Sequence, residues 1–313
     1  MRCDLHVHSR HSGPATLPLL RHLCDESHSD PQAVYETARR RGMDLVTITD
    51  HDTIVGALEI AGRPDTFVSE EVTCLLSGGR ELHIGVFDLD LRQHEAIARK
   101  RRDPEALFAY LAEEKLPAAL NHPFSALTGA RETRDLHLAF DNLRLVECLN
   151  GMLPEATNRA ADEVASWRRM GRIGGSDSHT LANVARACTA VPRARSKAEF
   201  VDGLRRRQTL PLGRSGTYAR FTSDIGRIAL QNLRERAREC GQGARAALRF
   251  AALVALAPFL PLMPLVSALV LVDENRFAAR HFTEFARAAG VPARASLALP
   301  ARLAGLSLME PAP

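Results

Sequence analysis

Two histidines near the start of the chain, His6 and His8, alternate with aliphatic residues in the segment DLHVH. Side chains two residues apart on a strand point to the same face, so both imidazoles can reach one metal ion. His51 lies in the segment TDHDT, just beyond a predicted strand end. That segment also fits a polar turn whose aspartates cap the next helix. The first chemistry to consider is therefore metal binding by imidazole.

Adjacent carboxylates, Glu70 and Glu71, interrupt the apolar strand VSEEVT and must face opposite sides of its sheet. One of them points to the interior, where a charge is costly unless it is paired or bound to a metal. His83 in ELHIG and His122 in NHP lie in or after other strands. Each of these histidines, taken alone, is typical of a hydrogen-bonded core residue.

The segment GGSDSH adds Asp177 and His179, which again share a face, after two glycines that permit a tight turn. Six of the twelve histidines thus fall at or beside predicted strand ends. The combined candidate metal ligands are His6, His8, His51, Glu71, His83, His122, Asp177 and His179. Nitrogen and oxygen donors without thiolate favour a multinuclear site for Zn²⁺, Mn²⁺ or Fe²⁺.

Alternating strands and helices between residues 2 and 212 must position these ligands. The predicted strands are Cys3 to Val7, Leu45 to Thr49, Thr66 to Thr73, Leu82 to Phe87, Ala118 to Asn121, Leu143 to Leu149 and Arg172 to Gly175. Helices are predicted to start at Asp30-Pro31, Asp103-Pro104 and the capping box Ser196 to Glu199. This order predicts an α/β fold with a mainly parallel sheet and a closed or nearly closed barrel, with catalytic groups at the carboxyl ends of strands.

The composition is that of a globular protein with a substantial core: 45% of residues are hydrophobic and 25% are charged. A net charge of +4 is far from that of a dedicated nucleic-acid binder. Six cysteines without a C-x-x-C pair, and an N-terminus unlike a signal peptide, predict a cytoplasmic protein.

Composition changes after about residue 215. Residues 224–249 form a basic stretch predicted to be helical, and residues 250–272 carry no charge. Pro258, Pro261 and Pro264 interrupt this apolar run, which predicts two short helices with a sharp break. The run fits either a buried helical hairpin or oligomer contact, or a membrane-associated segment peripheral to the bilayer. Residues 293–313 are predicted to be a loosely ordered tail.

The series DLHVH, TITDHD, SEEVT, ELHIG, NHP, VECLNG and GGSDSH resembles the polymerase and histidinol phosphatase (PHP) family in order and spacing over residues 2–212. The resemblance implies a PHP domain over residues 1–214, folded as a distorted seven-stranded (β/α) TIM-like barrel, with a helical extension at 215–313. It also implies two or three divalent metal ions.

By this resemblance, His6, His8, Glu71 and Asp177 hold one metal, and Glu71 bridges to a second held by His83 and His122. His51 and His179 belong to a third site. The family usually has an aspartate or histidine shortly after the second histidine of H-x-H, where this chain has Gly13 and Pro14. The third site therefore depends on a substitute: His11, Asp25 or Glu26.

The leading hypothesis is a metal-dependent phosphoesterase acting on a small phosphorylated metabolite or nucleotide, with a metal-bridging hydroxide attacking phosphorus. Asp177 orients that hydroxide, and His179 or His51 protonates the leaving oxygen. Arg10 and Arg186 are candidates for binding the substrate phosphate. Glu147 in VECLNG either contacts the site or caps a turn.

Two other functions fit the sequence. The chain could be an exonuclease on RNA or DNA ends, although 5% aromatic residues offer few stacking platforms. It could also be a non-catalytic metal-binding module that positions the C-terminal segment at a membrane or a partner. The sequence does not predict the oligomeric state.

Overall fold

Strands and helices alternate along most of the chain. The computed structural model describes residues 1–15, 20–128 and 131–290, so the predicted tail at 293–313 lies outside the described residues. The strands within these ranges are β1 (Arg2–Cys3), β2 (Ser69–Leu75), β3 (Glu81–Phe87), β4 (Ala118–Leu120), β5 (Leu145–Asn150), β6 (Gly171–Gly175), β7 (Ala187–Ala190) and β8 (Leu210–Gly213). The fold is mixed α/β.

The strands form two sheets. One has five strands in the order β2-β3-β4-β5-β6, and the other has three in the order β1-β7-β8. The β4-β5 and β5-β6 pairs are parallel, but β2-β3, β3-β4 and both pairs of the smaller sheet are antiparallel. The prediction of a mainly parallel sheet is therefore wrong for these ladders. A short turn joins β2 to β3, and a parallel crossover needs a much longer connection.

Isolated backbone bridges connect the two sheets. These parallel bridges pair Val7 with Ser178, Val46 with Thr66, and His51 with Glu71. The segment 45–51 thus lies between β2 and the chain at and after β1, to which the N–H groups of Leu45 and Thr49 donate, although its residues 45–49 were predicted to be a regular strand. Threonine side chains replace part of its ladder: the hydroxyl of Thr47 donates to the carbonyl of Phe67 at 2.8 Å. These bridges bring the chain segments that carry the candidate ligands together.

The helices of this part are α1 (Pro31–Arg40), α2 (Val55–Ile60), α3 (Leu91–Lys100), α4 (Pro104–Glu113), α5 (Thr133–Asn142), α6 (Glu155–Arg168) and α7 (Lys197–Arg205). The three predicted helix starts are confirmed. The side chains of Asp30, Asp103 and Ser196 accept hydrogen bonds from first-turn amides of α1, α4 and α7. Each cap satisfies amides that have no partner within the helix.

Three further helices follow: α8 (Tyr218–Glu239), α9 (Ala244–Leu256) and α10 (Met263–Ala288). The predicted helix over residues 224–249 is interrupted, because Gly243 has a φ of 138° that ends helical geometry. The predicted break in the apolar run is confirmed by the 3₁₀ turn Ala257–Leu262. Phe282 and Phe285 of α10 are buried in the same core as β3 and β5, which anchors the extension.

A close approach between β6 and the residues after β1 depends on Gly175. A Cβ atom at this position would lie 2.2 Å from the Cβ of His6 and 2.8 Å from its backbone nitrogen. Gly226 in α8 is a matched control, since a Cβ there meets nothing within 4 Å.

We expect Gly175→Ala to lower the free energy of unfolding by about 1–3 kcal/mol through overpacking. Gly226→Ala should raise it by about 0.5–1 kcal/mol, because alanine is the better helix former. Urea unfolding of the two variants measures both changes. Equal stabilities for Gly175→Ala and the parent chain would contradict the close packing.

Candidate metal centre

The carboxylate of Glu71, on β2, lies at the centre of the candidate ligands and is fully buried. Its Oε1 accepts a hydrogen bond from the Asn121 amide at 2.8 Å. The imidazole nitrogens nearest to its two oxygens belong to His6 (3.1 Å), His8 (3.4 Å), His51 (3.3 Å), His83 (3.5 Å) and His122 (3.1 Å). One carboxylate thus contacts five histidines from four segments of the chain.

Asp177 is a second carboxylate that approaches His6 and His8. Its Oδ1 is 3.4 Å from Nε2 of His6 and 3.4 Å from Nε2 of His8. The predicted common face of His6 and His8 is therefore present. Asp177 has a φ of 50°, in the left-handed region that is rare for residues with a Cβ. This turn immediately after β6 aims its carboxylate at the histidines.

Glu26 approaches the remaining histidines from the segment before α1. Its carboxylate oxygens lie 3.0 Å from Nε2 of His179 and 3.5 Å from Nε2 of His51. His11, another of the three suggested substitutes, instead pairs with Glu59 at 2.7 Å, and Asp25 pairs with Arg236. Glu26 alone of these three contacts the cluster.

Electrostatics keep the carboxylates of the cluster ionised. Burial alone would raise the pKa of Glu71, but the imidazoles of His6 and His51 hold that pKa well below its ordinary value. The pKa of Asp177 is held low in the same way, chiefly by His6. Burial opposes a charge on His51 as well, yet Glu26 and Glu71 raise its pKa to about 10.

His8 behaves oppositely. Burial, and then the neighbouring His179, lower its pKa to about 3, so its imidazole is neutral and offers a lone pair. His8 is thus already in the protonation state that a divalent ion requires of an imidazole ligand, whereas His51 would release its proton when a cation binds.

The donor set fits divalent metal ions. Four groups of donors each lie within 4.8 Å of one another: His8, His51 and His179; His6, His8 and Asp177; His6, Glu71 and His122; and His51, Glu71 and His83. Nε2 of His8, Nδ1 of His51 and Nε2 of His179 are buried, and although each lies 3.0–3.4 Å from a carboxylate oxygen, none has hydrogen-bond geometry to a described residue. Buried nitrogens aimed at a common centre are costly unless a cation satisfies them. All eight predicted ligands are thus brought together.

Two residues orient the ligands from behind. Oε1 of Glu147 lies 2.9 Å from Nδ1 of His6. Its Oε2 accepts a hydrogen bond from the backbone N–H of His122 at 3.1 Å. The amide of Asn150 donates to Glu147 at 3.0 Å and to Asp177 at 2.9 Å. Of the two interpretations of Glu147, contact with the site is the one observed. Asn150 lies in the segment VECLNG, but its residue type and position did not predict a role in the site.

The two arginines predicted to bind a phosphate lie elsewhere. Arg10 forms ion pairs with Asp30 and Glu59, and Arg186 is exposed with a weak bond to its own loop. Neither arginine lines the cavity of about 410 Å³ that opens over the cluster. The expectation for both is corrected: acidic neighbours on the surface hold Arg10, and Arg186 follows a turn that points it outward.

The C-terminal extension contributes residues that no sequence motif indicated. Asp224 of α8 is buried, lines the cavity and accepts a hydrogen bond from the hydroxyl of Thr180, next to His179. Asn232 accepts from the N–H of Asp25 at 2.7 Å and donates to its carbonyl at 2.9 Å. This two-way contact fixes the backbone beside Glu26. Helix α8 therefore holds the segment that completes the cluster.

Two comparisons of the sequence with known proteins found matches. The PHP-associated family model PHP_C matches residues 155–209. An uncharacterized protein of Methanocaldococcus jannaschii, MJ1587, is 29% identical over 147 residues, which cover 46% of this chain and 81% of that protein.

One solved structure shares the fold at a TM-score above 0.5. A two-domain protein from Bacteroides vulgatus, containing a predicted PHP-like metal-dependent phosphoesterase, aligns with a TM-score of 0.52 at 17% identity. The alignment covers 68% of this chain and 65% of that one, so this chain spans less than two thirds of its length. PsfC from Pseudomonas syringae aligns with a TM-score of 0.49 at 16% identity, over 74% of this chain and 96% of that one.

Neighbouring carboxylates on β2 provide a controlled test of the cluster. Glu70 is as buried as Glu71 but faces the other side of the sheet, where it pairs with His94 at 2.8 Å. We expect Glu71→Gln to weaken binding of Mn²⁺ or Zn²⁺ by at least about 10–100-fold, the scale seen when even outer contacts of a metal site are lost. Glu70→Gln should retain the metal.

Metal content after dialysis, and calorimetric titration of the stripped protein, measure this difference. Equal loss of metal in the two variants would show that general charge burial, rather than the Glu71 position, controls binding.

Proposed function

We propose that the chain is a PHP-domain protein, since the PHP_C model matches its residues 155–209, and that it is a metal-dependent phosphoesterase with two or three divalent ions, Zn²⁺, Mn²⁺ or Fe²⁺. We further propose that β1, segment 45–51 and β2 to β6 form the distorted seven-stranded barrel typical of the family. The parallel bridges that join the two sheets support this closure.

The observation that carries the proposal is the arrangement of histidines around one buried carboxylate. Five imidazoles surround Glu71, and a second carboxylate, Asp177, faces two of them. Divalent ions held there would lower the pKa of water and neutralise charge developing on phosphoryl oxygens. Concentrated positive charge of this kind would stabilise the transition state for hydrolysis of a phosphate ester, whose phosphoryl oxygens carry negative charge.

The protein's own residues would then orient the attacking water and hold the metal ions. Asp177, fixed by the Asn150 amide at 2.9 Å, is positioned to accept a hydrogen bond from the attacking water. His51 and His179 share Glu26, which makes them ligands of a third ion in this proposal rather than free proton donors. Glu147 fixes the ring of His6 and its tautomer.

The cavity favours a small or chain-like ester over a polynucleotide end. No lysine or arginine of the described residues lines it, whereas nucleic-acid channels track the backbone with cations. The cavity also favours catalysis over a purely structural module, because it gives a substrate direct access to the cluster. Both inferences rest on the lining residues.

Phosphate release by the full chain reconstituted with Mn²⁺ or Zn²⁺, on a panel of sugar phosphates, nucleotides, alkyl phosphates and oligonucleotides, tests the function. We expect turnover that falls at least about 10³-fold in a His8→Gln and Asp177→Asn double variant, which is several kcal/mol of lost transition-state stabilisation. His94→Gln, outside the cluster, is the matched control.

Unchanged turnover in the double variant would remove the proposed site. If no substrate of the panel releases phosphate although metal is bound, the proposed phosphoesterase activity is wrong and the proposed metal centre stands.

Glu26 gives a separate test of the third ion. Glu26→Gln removes the carboxylate beside His51 and His179, so we expect the number of tightly bound ions to fall by about one per chain, with the other ions retained. Glu36→Gln, on the exposed face of α1, is the control. Metal analysis after gel filtration gives the number of ions bound per chain. Equal numbers in the two variants would show that Glu26 does not hold a third ion.

A further inference from the structure

The cavity over the metal cluster has walls of two kinds. Cluster residues, including His51, Asp177 and His179, form one side. The facing wall comes from the C-terminal extension and is apolar, with side chains from Phe221, Ile225, Ile228, Leu233, Leu253 and Leu256. The volume of the cavity, about 410 Å³, is in the range of sites for small organic ligands. A ligand with an anionic head and an apolar body would match both walls.

We propose that the phosphate ester hydrolysed here carries a hydrocarbon chain, drawn from an anionic lipid bilayer, that lies along the wall formed by α8 and α9 while its phosphate faces the cluster. This inference rests on the proposed phosphoesterase function. Hydrolysis adds water across the P–O bond, and the water proton passes to the leaving oxygen. The products are a long-chain alcohol and inorganic phosphate.

Helix α8 fixes the apolar wall relative to the metal centre. Asp224 bonds to Thr180 beside His179, and Asn232 clamps the backbone of Asp25 beside Glu26. The wall and the cluster therefore share the same anchoring contacts. A chain bound along this wall would have its polar end held at a defined distance from the ligands.

The apolar wall continues into an exposed surface. Leu256, Phe259 and Leu260 line the cavity and are 40%, 60% and 41% exposed. Farther along, Leu265 and Leu269 are 60% and 62% exposed, so the predicted buried hairpin is not formed by the described residues. Exposed apolar surface of this extent marks an interaction site.

Its chemistry fits a bilayer. By length and composition, Ala244–Ala288 is long and apolar enough to cross a membrane, and 11% of its most apolar window is buried. Prolines at 258, 261 and 264 break the helix and favour lying in the interface over spanning it. Arg245 and Arg249 precede the apolar run and Arg276 and Arg280 follow it, which suits anionic lipid headgroups.

The test uses the full chain with Mn²⁺ and a series of n-alkyl phosphates from ethyl to decyl, each below its micelle concentration. We expect kcat/KM to rise about three- to fourfold per methylene until the cavity is filled, the change that burial of one CH₂ produces. Ile228→Asn should flatten this dependence. Leu230→Asn, two residues away on α8 and outside the cavity, should leave the dependence unchanged.

Binding of ethylphosphonate and decylphosphonate, measured by calorimetry, separates the two hypotheses. Turnover without any dependence on chain length would overturn the chain-binding inference and leave the phosphoesterase standing. No turnover, together with tight binding of decylphosphonate that Ile228→Asn weakens, would overturn the phosphoesterase while the apolar subsite stands. No preference for decylphosphonate in binding or turnover would overturn the subsite.

Co-sedimentation with phosphatidylcholine vesicles, with and without phosphatidylglycerol, tests the source of the chain. We expect binding that needs the anionic lipid, weakens with salt and falls at least about tenfold in Phe259→Asp with Leu265→Asp. Leu91→Asp, exposed on α3, is the control. Absence of vesicle binding, with a dimer that the same double variant dissociates, would assign the surface to a second copy of this chain and overturn the bilayer source.

Discussion

A single buried negative charge organises the centre of this protein. Glu71 sits inside the fold, where an unpaired carboxylate is costly, and five histidines converge on its two oxygens. The same residue pairs through its backbone with the segment carrying His51. Ligand geometry and strand pairing are therefore coupled at one position. The remaining contacts, from Glu147, Asn150 and Asn121, maintain the orientation of the groups around it.

Much of the fold was predictable because local signals coincided with it. The strands β2 to β6 and the capped starts of α1, α4 and α7 follow from hydrophobic runs and capping residues. The strand predicted at 45–49 is only an isolated bridge, because hydroxyl groups of threonines replace ladder bonds. Strands β7 and β8 were not predicted: they are short, and β8 is largely exposed and contains Pro211, so their apolar pattern is weak.

The candidate site was predictable to a different degree in its parts. Residue type and spacing singled out the eight side chains that the structure brings together, since a histidine pair or an acid at a strand end has few structural uses in combination. Glu26 was one of three options, and only tertiary packing distinguishes it from His11 and Asp25. Asn232 and Asp224 had no signal, because their roles depend on where α8 docks. The arginine prediction failed because sequence proximity to a motif says little about side-chain direction.

The order of the ligands along the chain bears on how the centre is made. His8 and Asp177 contact one another, but roughly 170 residues separate them, and at about 5–20 residues per second Asp177 leaves a ribosome roughly 10 to 30 seconds after His8. During that interval the nascent histidines lack the carboxylate that they face in the finished protein. A metal ion met early could bind only a partial, unconstrained set of donors, so binding by the complete set must wait until Asp177 has emerged and the bridge between Val7 and Ser178 has formed.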